Sequence, residues 1–265
     1  MLAELKHLFR RRRIVALLTV LAAVPVAIVL ALKLSGGPSQ GDGPTFLNQV
    51  TNNGVFAALA GLVITLPVFL PLSIAIVAGD AIAGEASQGT LRYLLIRPYG
   101  RTRLLANKAL TVVVFCVVAT LVVAVSGLAV GSILFPVGRV TTLSGDTLPM
   151  VQGVARIALA ALLVAASLFG LAAIGLFTST LTDVPIGAMA GTLGVLILSG
   201  ILDAVPQLSG IHPVLFTHNW LSFADVMRTH IIWSGIGRNL ALQAAYVAVF
   251  ASAAWARFTP KDVLA

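Results

Sequence analysis

The sequence predicts an all-α integral membrane protein with six transmembrane helices, and three observations carry that prediction. Apolar residues make up 58% of the 265 positions and charged residues only 10%, where a soluble domain carries about 25% charged. Mean hydropathy is +1.02, too high for a water-soluble core of this size to hide, so most of the surface is expected to face lipid. The apolar residues also gather into six runs, each near the ~20 residues that cross a bilayer as a helix. Helix is required of each run, because an open strand in hydrocarbon leaves its backbone donors unpaired.

Taken in chain order, Met1–Phe9 sets Leu2, Leu5, Leu8 and Phe9 at helical spacing with Glu4, Lys6 and His7 between them. That pattern predicts an N-terminal amphipathic helix lying on the membrane surface. Arg10, Arg11, Arg12 and Arg13 follow as membrane-interface residues that meet anionic headgroups. The first span is Ile14–Leu34. Its apolar stretch is longer than the roughly 7–15 residues of a signal-peptide core, and no A-x-A-like site follows, so a permanent span is expected. Ser35–Asn53, rich in Gly, Pro, Ser, Asn and Gln, reads as a flexible loop.

The remaining spans are Val55–Ala78, Leu110–Leu134, Val154–Phe177, Pro185–Val205 and Leu240–Trp255, the last being the shortest. Pro25, Pro67 and Pro71 fall inside spans and predict local kinks. Gly127-x-x-x-Gly131 and Gly187-x-x-x-Gly191 are small-residue pairs suited to close helix packing. Pro206–Asn239 mixes Trp220, Phe223, Ile231, Ile232 and Trp233 with Asp225, Arg228 and His230. It is too polar to span and too aromatic for a plain loop. Short interfacial or re-entrant helices are expected there, with Trp220 and Trp233 as membrane-interface residues.

An even number of spans puts both termini on one side. If that side is cytoplasmic it holds Lys6, Arg10 to Arg13, Arg92, Arg97, Arg101, Arg103, Lys108, Arg257 and Lys261, which is 12 of the 17 basic residues. Lys33, Arg139, Arg156, Arg228 and Arg238 then lie outside. The bias follows the positive-inside rule, so a multi-pass cell (plasma) membrane protein with both termini cytoplasmic is expected. The net charge of +8 sits in short clusters beside spans rather than along one soluble face. This fits membrane lipids as partners and gives no footprint for nucleic acid.

Several chemistries lack their residues. No G-x-x-x-x-G-K-[ST] phosphate loop occurs, and Leu34-Ser35-Gly36-Gly37-Pro38-Ser39-Gln40 mimics an LSGGQ signature only until Pro38-Ser39 interrupts it. His7, His212, His218 and His230 have no metal-ligand spacing, and the lone Cys116 adds no ligand pair. Asp183 and Asp203 lack a partner carboxylate in a neighbouring span, no G-x-S-x-G elbow is present, and the spans are too free of charge for a proton relay. No catalytic residue, metal ligand or cofactor-binding residue is therefore assigned to this chain.

The informative segment is Gly84–Lys108, GEASQGTLRYLLIRPYGRTRLLANK, polar and basic between two apolar runs. Asp80, Gly84, Gln88 and Arg92 recur every four residues with Glu85 beside them, while Leu91, Leu94 and Leu95 form an apolar patch elsewhere around the same helix. Pro98 stops that helix and Tyr99-Gly100 makes a turn. The basic RTRLLANK start predicts that the third helix begins in water before entering the membrane. Such a two-faced helix packs on a partner protein or rests on lipid, and composition leaves both open.

This order of surface helix, two spans, cytoplasmic segment, four spans and re-entrant outer segment resembles the permease subunits of the type-two ABC exporter (ABC-2 type transporter) family. The resemblance covers essentially the whole chain as a single transmembrane permease domain, residues 1–265, without the large extracellular domain of bigger members. Its most specific piece is Glu85, then Gly89-Thr90-Leu91-Arg92, Arg97-Pro98 and Arg101-Thr102-Arg103 leading to Lys108. In that family the equivalent passage is a coupling helix that contacts a separate ATPase. The resemblance implies that Glu85, Gly89, Thr90, Leu91, Arg92, Leu94, Leu95 and Arg97 couple to the ATPase. Glu85 and Arg92 would make charged contacts, and the leucines would pack into the ATPase groove or under the membrane surface.

It further implies a bacterial exporter with two ABC ATPase subunits holding ATP and Mg, and a second permease copy or a related half. The low charge of the spans favours a hydrophobic or amphipathic cargo, such as a drug, lipid or peptide. Two other readings stand beside it. A membrane-embedded enzyme needs carboxylates or histidines converging at one depth. An accessory or sensor membrane protein would use the same segment to bind a soluble cytoplasmic partner without transport.

Overall fold

The computed structural model describes residues 9–34, 45–89, 100–142 and 145–259. The described residues are 81% helical. Its helices are α1 (Arg12–Leu34), α2 (Thr45–Asn52), α3 (Phe56–Thr65), α4 (Phe69–Ser87), α5 (Arg101–Leu134), α6 (Met150–Ser167), α7 (Phe169–Leu181), α8 (Pro185–Ala204) and α9 (Trp233–Phe258). A two-stranded antiparallel hairpin, β1 (Val140–Thr141) with β2 (Thr147–Leu148), caps the end of α5. Six helical stretches are long and apolar enough to cross a membrane: α1, α4, α5, the pair α6–α7, α8 and α9. The chain is a multi-pass, all-α membrane protein. The surface helix expected over Met1–Phe9, save Phe9 itself, and residues 35–44 of the loop expected after α1 lie outside the described residues, while Thr45–Asn52 of that expected loop is helix α2.

Successive spans run antiparallel and define two faces. The proximal face carries Arg12, Ser87, Arg101, Leu181 and Phe258; the distal face carries Leu34, Phe56, Leu134, Met150, Ala204 and Trp233. Arg10 to Arg13, Arg101, Arg103, Lys108 and Arg257 stand at the proximal face, and Lys33, Arg139, Arg156, Arg228 and Arg238 at the distal one. Lys33 ends α1 by donating to the Leu134 carbonyl at 3.2 Å while lying 5.5 Å from the Phe135 ring centroid. The α6–α7 stretch is central, with 67% of its apolar window buried, against 17% for α8 and for α9, whose apolar sides face lipid.

The second span is broken rather than merely kinked. Pro67 brings no N–H to the ladder, Val68 leaves helical geometry at φ −131°, and α4 restarts at Phe69. Pro71 is harmless because it sits in the first turn of α4, where an N–H has no intrahelical partner anyway. Pro25, in contrast, stays inside an unbroken α1, where it fills the space above Gly61 of α3.

The fourth span, expected to be continuous, is divided at Leu168. Ser167 Oγ donates back to the Leu163 carbonyl at 2.8 Å and accepts from Asn239 Nδ2 of α9 at 2.6 Å. The Leu168 N–H then bonds three residues back, to Ala165 at 3.1 Å, tightening the turn. The third helix begins at Arg101, nine residues ahead of its apolar run, and reaches about 51 Å at 1.5 Å per residue.

The last span starts at Trp233 rather than Leu240 and is 26 residues long. Its polar residues Asn239 and Gln243 are both buried and bonded, Gln243 Nε2 donating to the Phe216 carbonyl at 2.7 Å. The segment before it contains three short 3₁₀ turns, Pro206–Leu208, His212–Val214 and Trp220–Met227. It leaves from and returns to the distal face, pinned by Tyr246 OH on the Val214 carbonyl at 3.0 Å and by Arg156 of α6 on the Val226 carbonyl at 3.1 Å.

Candidate functional site

The inner turns of α4, Gly79–Glu85, are held from three directions at the proximal face. From α7, the Ser179 hydroxyl accepts from the backbone N–H groups of Ile82 and Ala83 at 3.0 and 2.9 Å and donates to the Gly79 carbonyl at 2.7 Å. The oxygen thus stands in the i→i−4 ladder itself, a known way to bend a helix. From the start of α1, Arg11 pairs with Asp80 at 3.3 Å. From α5, Lys108 donates to Glu85, and both side chains are mostly buried, 15% and 18% exposed. These three contacts fix the end of the second span against the first, third and fourth.

The helix then stops. Gly89 takes φ +68°, the left-handed conformation that ends helices at low cost only for glycine. The four-residue stripe expected from Asp80 to Arg92 therefore does not run on as one helix: Asp80, Gly84 and Gln88 share the end of α4, and the turn at Gly89 intervenes before Arg92. Thr90, Leu91, Arg92, Leu94, Leu95 and Arg97 lie outside the described residues. On the far side of that segment, α5 is anchored as firmly as α4. Arg101 donates to the Thr259 carbonyl at 2.6 Å, and Trp255 Nε1 of α9 donates to Thr102 Oγ1 at 3.1 Å.

Beside the clamp lies a cavity of about 650 Å³ lined by Arg11, Arg12, Arg13, Asp80, Glu85, Gln88 and Lys108 over an apolar floor of Ile14, Val77 and Val112. Its mixed charge suits a polar or charged side chain, or a lipid headgroup, entering from the proximal face.

Of the residues predicted for partner contact, Glu85 has its carboxylate engaged by Lys108 and little of it exposed, so it also braces the second span against the third. Arg10, Arg11, Arg12 and Arg13 are exposed, as an interface block requires, and Trp233 is 56% exposed at the start of α9. Trp220 is 5% exposed and packs edge-on to Phe216 at 5.7 Å. It is a core residue rather than an outward-facing anchor, because the 3₁₀ turn that carries it folds against α6 and α9.

Trp220 also helps line an apolar cavity of about 490 Å³ with Leu66, Pro67 and Val68 at the break in the second span and with Leu196 and Gly200 of α8. Sequence reading missed Ser179 and the role of Lys108, since neither carries a local signal. It also missed a grouping at the distal face, where Asp203, His212 and His218 each bring one ligand-capable atom within 4.8 Å of the others.

No curated protein matches the chain. A family profile does, over residues 26–264, from α1 past the end of α9. The chain belongs to the family described as "Protein of unknown function (DUF2705)".

Proposed function

We propose that this chain is the membrane-spanning permease subunit of an ATP-driven exporter, with a separate ATPase working the Gly84–Lys108 segment from the cytoplasm. The observation that carries the proposal is the anchoring on both sides of residues 90–99. The preceding helix is bolted to three other spans through Arg11, Lys108 and Ser179, and the following one to α9 through Arg101 and Thr102. Between two anchored helices, a push from a soluble partner is delivered to the second and third spans together.

The energy must come from that partner. The spans hold few charges with which to harvest an ion gradient, and the sequence contains no phosphate loop. The Glu85–Lys108 pair makes the two spans move as one unit, and the break at Pro67 lets the inner part of the second span tilt independently of α3. The apolar cavity at that break favours a hydrophobic or amphipathic cargo, such as a drug, lipid or peptide. The basic bias supports a cytoplasmic proximal face. A second permease copy or a related half would complete the pathway, and two ATPase subunits would complete the machine.

The test is affinity purification of the full chain from native membranes in mild detergent. An ABC ATPase subunit should be recovered with it. Glu85→Ala and Arg92→Glu should each insert normally yet lower that recovery several-fold. Equal recovery of the ATPase with both variants, or none with the wild type, contradicts the assignment.

A further inference from the structure

The geometry points to a binding site for a single divalent transition-metal ion of the zinc class at Asp203, His212 and His218, on the distal face. Two imidazoles and one carboxylate form a donor set that suits borderline metals and is poor for Mg²⁺ or Ca²⁺, which seek oxygen alone. One atom from each residue lies within 4.8 Å of the other two. Around a tetrahedral zinc with bonds near 2.0–2.1 Å, donor atoms stand about 3.3 Å apart. Asp203 Oδ1 and His218 Nδ1, now 2.5 Å apart in a hydrogen bond, need open by less than about 1 Å to admit the ion between them.

The donors come from two separately held pieces of backbone. Asp203 belongs to the last turn of α8. The two histidines belong to the outer segment, whose carbonyls at Val214 and Phe216 are fixed by Tyr246 and Gln243 of α9. His212 has the outer-sphere partner that metal-binding histidines usually have: its Nε2 lies 3.1 Å from the Val205 carbonyl. A carbonyl only accepts, so that nitrogen carries the proton and Nδ1 keeps its lone pair.

The His212 and His218 rings stand 5.5 Å apart. A hydrogen bond to Asp203 uses one imidazole; a metal uses both. A bound ion would tie the end of α8 to the segment that carries Thr217 and Trp220 over the apolar cavity, leaving a fourth coordination position for water or a ligand.

The experiment uses the full chain, purified on a histidine-free tag and set in lipid nanodiscs, titrated with Zn²⁺ by calorimetry and with Co²⁺ by absorption. One ion per chain is expected, with the visible bands of a low-coordinate cobalt site and no competition from excess Mg²⁺. His212→Ala and His218→Ala should each weaken Zn²⁺ binding at least about tenfold, while His230→Ala, an exposed histidine on the same face, should not. Asp203→Cys supplies a readout that misfolding cannot mimic: its thiolate should add a sulfur-to-cobalt charge-transfer band. Absence of saturable Zn²⁺ binding to the wild type leaves only an Asp203–His218 ion pair and overturns the site. So do unchanged affinity in both histidine variants, or a folded Asp203→Cys protein that binds Co²⁺ without the sulfur band.

Discussion

Gly131 shows how much of the packing rests on single atoms. A Cβ there would lie 2.0 Å from the Gly54 carbonyl oxygen and 2.7 Å from Ala57 Cβ, and one at Gly127 would lie 2.8 Å from the Ala57 carbonyl. Backbone meets backbone at these points, and neither side has a flexible tip that can yield. The Gly127-x-x-x-Gly131 pair was legible in the sequence as a close helix contact, but its partner was not. It is consumed inside the chain, against the start of α3, rather than presented to a second copy.

Gly131→Ala is therefore expected to cost about 1–3 kcal/mol through overpacking, seen as a lowered thermal midpoint in detergent. Gly194→Ala, where nothing lies within 4 Å of the added carbon, should stay within about 0.5 kcal/mol. Equal effects at both positions would refute the packing argument. The Asp203, His212 and His218 group was illegible for a related reason. Chain spacing reports ligand geometry only when ligands share one element, and these come from a helix end and two turns of a folded-back segment.

At the scale of elements, the sequence was informative wherever the backbone chemistry is local. Pro67 announced a discontinuity, the RTRLLANK start announced a helix longer than its apolar run, and the apolar runs located all six spans, though the second, third and sixth extend seven to nine residues beyond them at one end. It was silent where the cause is tertiary. Nothing near Leu168 signals a break, because the break is organised by Asn239 arriving from another helix. The early start of α9 was hidden for the same reason, since Asn239 looks too polar for a span until its partners Ser167 and Gln243 are seen.

The Glu85–Lys108 link between α4 and α5 makes a prediction at this scale. Glu85→Gln or Lys108→Met alone strands a mostly buried charge and should cost about 2 kcal/mol or more, whereas the double variant should recover much of the loss. Thermal midpoints of the four proteins close the cycle. Additive losses would mean that the two side chains do not work as a pair.

For the whole molecule, the six-span, all-helical architecture and the separation of basic residues between faces followed from composition and run length alone, because lipid leaves so few alternatives. What composition does not encode is mechanical: which helix ends are bolted together and which spans are divided. Those features turn a generic bundle into one whose second and third spans are anchored on both sides of residues 90–99. The reading as a passive gate worked by a nucleotide-hydrolysing neighbour rests on that pattern. Its most direct test is ATP hydrolysis by an ABC ATPase recovered with the chain, measured in lipid nanodiscs alone, with this chain, and with its Glu85→Ala variant. The account predicts a several-fold rise when the wild-type chain is present and loss of most of that rise with Glu85→Ala. An identical hydrolysis rate in all three preparations would contradict it.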